Sequence, residues 1–550
     1  MARKNTFLPV LLCFISISLF SQSTVYVSKM EGIDDVSKIR KAISLIKNSE
    51  KTTIIFEDKE YKIRLDEGSF LMDLSNKKRV MLEFNNATFA FENYTKFLKT
   101  DNSEHIHLKN LSIDYVNLPF SQGIITSISK DRKTVNVRVD EGFPAFQRII
   151  NNTDNYFAMI NEKEGKNPKK GTPSFFEVSE ISRINNNTAS ITFKNGGNIE
   201  MGDTFLFVGA KRDNDALFTI NNSTNISFLN TTVFTSPFQV ILTDNSTIEL
   251  ENFQIKPKEN RLFSTSGKGI VLKNSRNGAT IKNSLFEAIG SDVISVENDF
   301  LKVKKVINKK EFVLKNRKDF LIDLKEGDIL AFFNYDTGMK VEDIEIEKVQ
   351  MLNKTDLMIT SKENSRLFNI SKKNIKKLVV YNLSQNAKGL SITDSKFEKN
   401  HANAVVIFSG NNILLENLSF EKNVKYSIKI QKNIFLENGL TIHDVMIKNC
   451  QFMETYTGRN DIDKSYSSII LSNPYYQKEN LIQNTTVEGN TFKQKCDISA
   501  MIFQNTMDLT VINNRIEISN QCKSNQDYFI QFLDKNTKLT EKNNEFLIGN

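Results

Sequence analysis

Short runs of alternating apolar and polar residues recur along most of the chain. Phrases such as IKNSLF around Asn283, LENLSF around Asn417 and IKNCQF around Asn449 place apolar residues on both sides of a central Asn. This alternation has the period of a strand with one buried face. Related phrases surround Asn230, Asn252, Asp394 and Asn513.

The spacing of these phrases indicates stacked turns of one solenoid. Neighbouring phrases are 22 residues apart from Asn230 to Asn252 and 23 residues apart from Asp394 to Asn417. A turn of this length cannot bury its apolar face alone, so successive turns stack and their inward residues form continuous ladders. The pattern predicts an all-β protein whose main body is a right-handed parallel β-helix.

Two side-chain ladders should accompany such a β-helix. The repeated Asn stands at a bend, where it can adopt left-handed backbone geometry and hydrogen-bond to its equivalents above and below. The aromatic residues that close the phrases are predicted to stack in the core rather than to bind a ligand. They are Phe286, Phe397, Phe420 and Phe452.

Two stretches depart from the repeat and are predicted to be inserted antiparallel β-barrel-like modules. Both contain a hairpin-like pair of strands and end on similar phrases, MGDTFLFVG and EGDILAFFN. Insertions on one side of a solenoid commonly form the wall of a binding face. The predicted organisation is a leader at 1–21, β-helix at 22–118, 209–300 and 344–550, and inserted modules at 119–208 and 301–343.

The N-terminus resembles a secretory signal. Arg3 and Lys4 precede an apolar run from Phe7 to Phe20, which predicts an exported protein, secreted or periplasmic, cleaved near Ser21. No later segment approaches the ~20 apolar residues of a membrane span. The net charge of +8 includes the two leader cations and is spread without a basic block. It predicts no nucleic-acid partner, and it suits either an acidic glycan or simply a mixed solvated surface.

Cysteine and histidine usage suggests no metal or cofactor site. With four histidines and no Cys/His cluster, a zinc site has no support, and no cofactor is predicted. Cys496 and Cys522 are 26 residues apart and could form a disulfide on adjacent turns, although buried free thiols are the preferred interpretation for these residues and for Cys450.

The chain resembles glycoside hydrolase family 110, the α-1,3-galactosidases of β-helix fold. The resemblance spans nearly all of the predicted mature chain and includes the phrases IDYVNLPFSQGIITSI, SPFQVILTDNSTIELENFQIKP, RLFSTSGKGIVLKN, SLFEAIGSDVISVENDFLKV and FLENGLTIHDVMIKNCQF. It implies a secreted carbohydrate-active protein with a glycan partner. Members of the family remove terminal α-linked galactose with inversion.

The family's acidic positions are largely substituted here. Where the family has Asp followed three residues later by His, this chain has Lys268 and Val271. The family's next pair of Asp residues corresponds to Ser291 and Asp292, so one of three expected acids is retained. By the same resemblance, Arg261 matches a family arginine.

The remaining candidates extend this site. Glu437 matches a family glutamate, and Glu297 or Asp299 could supply a missing acid close to Asp292. We take Asp292 and Glu297 as the catalytic candidates, and Lys268, Ser291, Arg261 and Glu437 as the substrate-binding candidates.

These substitutions leave three functional interpretations open. An inverting glycosidase needs a carboxylic acid and a carboxylate about 6.5–9.5 Å apart. Hydrolysis could persist with rearranged roles for Asp292 and Glu297, although strict strand alternation points these two residues to opposite faces. The chain could instead bind glycans without cleaving them. As a third possibility, Lys268 could act as the base of a polysaccharide lyase on an acidic glycan. All three require Lys268, Ser291 and Asp292 to face one shared cavity.

Overall fold

The computed structural model describes most of the chain outside the predicted leader. The described residues are 22–163, 165, 167–211, 215–316, 322–431, 442–455, 467–473, 482–494, 498–519, 529–534 and 537–549. Strands predominate over helices throughout these ranges.

The N-terminal part forms the first turns of a parallel β-helix. Helix α1 (Asp35–Ser44) begins at a capping box, in which the Asp34 carboxylate accepts from the Ser37 amide at 2.7 Å. A 3₁₀ helix spans Val27–Lys29. The strands are β1 Gln22–Tyr26, β2 Lys51–Ile55, β3 Glu60–Ile63, β4 Phe70–Asp73, β5 Lys78–Glu83, β6 Thr88–Phe91, β7 Lys96–Asp101 and β8 Glu104–Tyr115.

The first insertion is a six-stranded antiparallel sheet with one short helix, α2 (Phe146–Asn152). Its spatial order is β11-β14-β9-β10-β13-β12. The strands are β9 Phe120–Ile128, β10 Thr134–Val139, β11 Asn155–Asn161, β12 Val178–Arg183, β13 Thr188–Phe193 and β14 Thr204–Ala210.

The central β-helix resumes where the N-terminal part stopped. Strand β15 pairs in parallel with β7, matching Phe218 to Leu98, so the chain returns to the next turn after the insertion. The strands are β15 Ala216–Asn221, β16 Thr224–Val233, β17 Gln239–Asp244, β18 Ile248–Ile255, β19 Ile270–Lys273, β20 Thr280–Lys282, β21 Leu285–Glu287 and β22 Ile294–Glu297.

The second insertion is a closed antiparallel barrel in the order β23-β24-β27-β26-β25-β28. It also contains a 3₁₀ helix at Arg366–Asn369 and helix α3 (Lys372–Ile375). The strands are β23 Leu301–Val306, β24 Glu311–Lys315, β25 Ile329–Asn334, β26 Lys340–Met351, β27 Asp356–Ser361 and β28 Leu378–Asn382.

The barrel extends beyond the predicted boundary at residue 343. Strands β26, β27 and β28 complete it, so the segment up to Asn382 belongs to the insertion and not to the C-terminal β-helix. The sequence boundary was wrong because these strands alternate apolar and polar residues like β-helix strands. Only their antiparallel partners distinguish them.

The C-terminal β-helix follows the barrel. The strand β31 pairs in parallel with β22, matching Ile294 to Val405 across the insertion. The strands are β29 Ser391–Thr393, β30 Lys396–Glu398, β31 Val405–Ile407, β32 Gly410–Glu416, β33 Ser419–Glu421, β34 Ile428–Gln431, β35 Ile442–Lys448, β36 Gln451–Met453, β37 Ser467–Ser472, β38 Ile482–Glu488, β39 Thr491–Gln494, β40 Ser499–Gln504, β41 Thr506–Ile512, β42 Arg515–Ser519, β43 Ile530–Phe532, β44 Leu539–Lys542 and β45 Glu545–Gly549.

The predicted β-helix is confirmed. Over the described residues, one parallel sheet has 11 strands in the order β4-β7-β15-β17-β19-β22-β31-β34-β37-β40-β43, and the remaining β-helix strands form a sheet of 22. The inward residues of both sheets form one continuous hydrophobic core. Stacked turns therefore bury together what a single turn leaves exposed.

Both predicted side-chain ladders are present. Asn230 and Asn252 have φ of 53° and 52°, and the Asn252 amide donates to Asn230 Oδ1 at 2.9 Å. Asn417 donates to Asp394 Oδ1 at 3.1 Å in the same way. The aromatic ladder is fully buried, with neighbouring ring centroids 5.0–5.1 Å apart. It contains Phe286, Phe397, Phe420 and Phe452.

Candidate functional site

A cavity of about 520 Å³ lies where the first insertion meets the outer face of the eleven-stranded sheet. Its floor comes from three consecutive strands of the β-helix, β17, β19 and β22, and its wall includes residues of the first insertion. This volume falls in the range of small-molecule sites, about 300–1,000 Å³. The site is assembled from segments that are distant in sequence.

The middle of the floor is apolar. Leu242 on β17 and Val271 on β19 pack together on the outer face of the sheet. Their neighbours Ile241 and Ile270 point inward to the core because side chains alternate along a strand. At the position where the resembled family has a histidine, this chain has Val271, which is part of a hydrophobic surface.

Two phenylalanines of the first insertion stand over this floor. Phe157 lies on β11, and its ring centroid is 5.9 Å from that of Phe175, with the ring planes inclined by 59°. Phe175 is 49% exposed, an unusual state for a large apolar side chain beside a cavity. Exposed aromatic faces of this kind are suited to stacking on the apolar face of a sugar ring.

Lys268 and Glu297 form an ion pair at the cavity surface. The Lys268 Nζ contacts Glu297 Oε1, and the Ser295 hydroxyl donates to the same oxygen. Glu297 is buried, while the Lys268 side chain is 29% exposed. Strand alternation explains the geometry, since Ser295 and Glu297 share the outer face of β22 and Lys268 comes from the adjacent turn.

This pairing fixes the charge state of Glu297. Burial raises the pKa of the Glu297 carboxyl, but the positive charge of Lys268, with hydrogen bonds from Lys268 and Ser295, outweighs burial and holds the pKa below its ordinary value. Glu297 is therefore a carboxylate at neutral pH. It holds no proton to donate to a departing glycosidic oxygen.

Ser291 and Asp292 face different surroundings. Ser291 lines the cavity with Lys268, whereas Asp292 is not among the described lining residues. The Asp292 carboxylate instead accepts from the Asn403 side-chain amide at 2.8 Å and from the Asn403 backbone at 3.3 Å. Because β22 begins only at Ile294, Asp292 stands in the bend before the strand, where strict alternation does not apply.

The other two binding candidates do not join this group. The Arg261 guanidinium donates to Asp114 Oδ1 at 2.6 Å and to Thr235 Oγ1 at 3.0 Å, an ion pair with a buried carboxylate outside the cavity lining. Glu437 lies outside the described residues, as do Cys496, Cys522 and the predicted leader. Cys450, by contrast, is a buried free thiol.

Two cations of the cavity were not predicted from the sequence. Lys211 follows β14 of the first insertion and forms an ion pair with Glu67 at 2.9 Å. Lys273 ends β19 and pairs in register with Asp244 on one side and Glu297 on the other. Alternation from Val271 would have placed Lys273 on the outer face. No local signal connects Lys211 to this site.

Gln239 is a third residue that the sequence did not indicate. It begins β17, lines the cavity and is 8% exposed. Its Oε1 is buried and accepts no hydrogen bond from any described residue. A buried polar atom without a partner is costly, and a ligand hydroxyl or a water in the cavity would satisfy it.

Asp244 adjoins the floor at its far end. Burial raises the pKa of Asp244 to about 6, and the nearby Asp299 carboxylate adds to this, against a hydrogen bond from the Asn274 amide that lowers it. Asn274 also donates to Asp299 at 3.3 Å. Within the described ranges, no group of three or more His, Cys, Asp or Glu side chains could hold a metal ion.

Comparison with known proteins adds similarities of fold. No family model matches the chain, and no curated protein matches its sequence. Solved structures that resemble it include a hyperthermoactive exopolygalacturonase from Thermotoga maritima, at 10% identity and a TM-score of 0.40, with 96% of this chain and 92% of that one covered.

Two further solved structures resemble this chain. The catalytic domain of a GH87 α-1,3-glucanase matches at 12% identity and a TM-score of 0.40, covering 96% of this chain and 66% of that one. The Streptococcus pneumoniae surface protein and adhesin PfbA matches at 12% identity and a TM-score of 0.35, covering 95% of this chain and all of that one. No helix in the described part of the chain is long and apolar enough to cross a membrane.

Proposed function

We propose that this protein is a carbohydrate-binding relative of glycoside hydrolases, and that its cavity holds a glycan without cleaving it. The observation that carries the proposal is the state of Glu297. Among the described residues that line the cavity, Glu297 supplies the one carboxylate, and that carboxylate is committed to Lys268.

The lining of the cavity supports sugar binding. Phe157 and Phe175 offer aromatic faces, while Leu242 and Val271 offer an apolar floor. Gln239 offers an unsatisfied acceptor for a sugar hydroxyl. A mostly apolar cavity with a few convergent polar groups is the usual composition of a small-ligand site.

The same lining argues against hydrolysis. Inversion needs one group that donates a proton and another that activates water on the opposite face of the sugar. Glu297 is ionised at neutral pH and is held by a cation, and Asp292 is bonded to Asn403. Ser291 cannot exchange a proton in either role near neutral pH.

The proposed ligand follows the family resemblance. We propose a glycan with terminal α-linked galactose, presented to a protein that is exported after cleavage near Ser21. Export is tested by the N-terminal sequence of protein recovered outside the cytoplasm. A mature protein that retains Met1 would contradict it.

Binding is tested with α-galactosides and matched aromatic variants. Calorimetry should show saturable binding that weakens about tenfold in Phe175→Ala, since one aromatic stacking contact is removed. Phe368→Ala is the control, because Phe368 is equally exposed, at 49%, but lies on the second insertion. Equal loss in both variants, or no loss in either, would contradict binding in this cavity.

Hydrolysis remains the second candidate, since the retained Asp292 directly follows Ser291, which lines the cavity. In this alternative Asp292 and Glu297 share the catalytic roles. Released galactose should then be measurable with the wild-type protein and absent with Asp292→Asn. That outcome would replace the binding proposal, as would release of an unsaturated uronate from an acidic glycan, which would indicate a lyase.

A further inference from the structure

Lysines outnumber carboxylates among the described residues that line the cavity. We propose that the glycan bound there carries an acidic group, a carboxylate or a sulfate, and that this group binds Lys273 at one end of the cavity floor. The inference rests on the proposed glycan-binding function and adds the chemical class of the ligand.

The charges that line the cavity are unequal. Among the described lining residues, three lysines, Lys211, Lys268 and Lys273, accompany one carboxylate, Glu297. Lys268 is paired with Glu297, and Lys211 is paired with Glu67, which lies outside the described lining. Lys268 and Lys211 therefore each already have a protein carboxylate as a partner.

Lys273 differs from the other two lysines. Its ammonium forms no ion pair or hydrogen bond with any described side chain, although it ends β19 on the outer face of the sheet. Asp244 and Glu297 flank it in register on β17 and β22. The Lys273 charge attracts both carboxylates, but Glu297 is bonded to Lys268, and Asp244 accepts from Asn274. Among the described residues the Lys273 ammonium therefore has no bonded partner, and it can bind a ligand anion.

The surroundings of Lys273 would strengthen its attraction for an anionic group of the ligand. An ammonium is a compact cation that attracts a carboxylate or sulfate as a point charge. The apolar residues that line the cavity, including Phe157 and Val271, reduce solvent screening, which strengthens the attraction between the charges. The hydrogen bond between them would be charge-assisted and stronger than one between neutral groups.

The position of Gln239 indicates how long the ligand is. Gln239 begins β17 and Asp244, the register partner of Lys273, ends it. Five residue steps along a strand span roughly 16 Å. Gln239 and Lys273 therefore stand toward opposite ends of the floor, and a ligand longer than one sugar ring can contact both. The floor between them, Leu242 and Val271, suits the apolar face of the intervening ring.

The inference is tested by calorimetry with three ligands of equal length: trigalacturonate, a sulfated galactotriose and a neutral galactotriose. We expect the wild-type protein to bind at least one acidic ligand about tenfold more tightly than the neutral one. Added salt should weaken acidic binding selectively, because screening acts on the charge pair. The acidic ligand that binds more tightly identifies the group as carboxylate or sulfate.

Variants of Lys273 decide whether this residue is responsible. Lys273→Gln should abolish the preference, so that the acidic ligand binds no more tightly than the neutral one, whereas Lys273→Arg should retain the preference. Lys282→Gln, which removes one charge from an exposed position on β20 in the other sheet, should have no effect. Thermal unfolding of each variant verifies that it is folded.

The outcomes separate this inference from the proposed function. Equal wild-type affinity for acidic and neutral ligands would overturn the acidic inference and leave glycan binding intact. An acidic preference that survives in Lys273→Gln would also overturn it. Failure of the wild-type protein to bind any of the three ligands would overturn this inference, and failure with the α-galactosides as well would overturn the proposed function.

Discussion

The two insertions leave the β-helix in similar ways but contribute differently to the candidate site. The first is an antiparallel sheet that presents Phe157 to the cavity, and the second is a closed barrel. None of the described residues of the barrel lines this cavity. Closure satisfies every strand edge within the barrel, so it behaves as a separate module with its own core. To form a wall of the cavity, an insertion must place one of its own faces over the eleven-stranded sheet of the β-helix.

The two attachments also differ in chemistry. The first insertion packs on the β-helix through an apolar cluster that includes Phe120 and Phe263, with ring centroids 5.3 Å apart. Gly290 passes so close to Phe263 that an added Cβ would lie 2.7 Å from its ring. The barrel is joined to the β-helix by polar contacts, since Arg276 donates to Asp328 at 2.6 Å and Asn245 donates to Asp323 at 3.1 Å. Among the described residues, the contacts that attach the first insertion to the β-helix thus also support the cavity wall, whereas those of the barrel do not.

The strongest test of this difference removes one buried aromatic residue at each insertion, Phe263 where the first insertion packs on the β-helix and Phe333 within the barrel. Phe263→Ala and Phe333→Ala should each lower the free energy of unfolding by about 3–5 kcal/mol, because both rings are buried. Only Phe263→Ala should also reduce glycan affinity, since it loosens the wall of the cavity. Denaturant unfolding and calorimetry measure the two effects. Loss of glycan affinity in both folded variants would refute the separation.

A second test compares the two ion pairs. Lys268→Met should lower the free energy of unfolding by about 2–3 kcal/mol, because it leaves the buried Glu297 with Ser295 as its remaining hydrogen-bond donor. Arg276→Met should cost less, since Asp328 keeps the Asn382 amide at 2.8 Å and a backbone donor. Thermal unfolding at neutral pH measures both. A larger loss for Arg276→Met would contradict the comparison.

The pH dependence of the first ion pair has a defined sign. In the folded wild-type protein the pKa of Glu297 is lowered. Its contribution to folding stability is therefore present above the pKa of the unfolded state and is lost as pH falls through the pKa of the folded state. In Lys268→Met burial should raise the pKa of Glu297. Stability should then decrease as pH rises through this raised value. Unfolding midpoints measured across acidic to neutral pH check the reversal.

A third test concerns Asp244, at the end of the floor nearest the second insertion. Its pKa is raised to about 6, so the stability it contributes is greatest below its unfolded pKa and is lost as pH rises through about 6. Asp244→Asn should remove this dependence and stabilise the protein at neutral pH by roughly 2 kcal/mol. A variant whose stability profile matches the wild-type profile would show that Asp244 titrates normally.

The smallest expected effect lies outside both regions, in the Asn ladder. Asn252→Ala should lower the free energy of unfolding by about 1–2 kcal/mol, because it loses the hydrogen bond to Asn230 and holds Ala at a φ of 52°. Asn252→Gly should cost less, since Gly tolerates this geometry. Neither change should alter glycan affinity. A loss of affinity would show that general destabilisation disturbs the cavity, and would weaken the conclusions from Phe263→Ala.

The accuracy of sequence prediction varied with the range of the interactions involved. The Asn230 and Asn252 pair and the Phe ladder were predictable because each depends on a repeated local pattern. The boundary at 343 was wrong, since alternation in β26 fits a barrel and a β-helix equally well. Lys268 and Ser291 share the cavity as expected, whereas Asp292 turns to Asn403.

The sequence by itself determined the β-helix and its inward ladders, because strand period and residue identity are local properties. Only the tertiary structure decided that Lys268 neutralises Glu297, that Lys273 stays unpaired among the described residues, and that Phe157 covers the floor. These relations join residues from different turns and from an insertion, and their geometry depends on which strands pair and in what register.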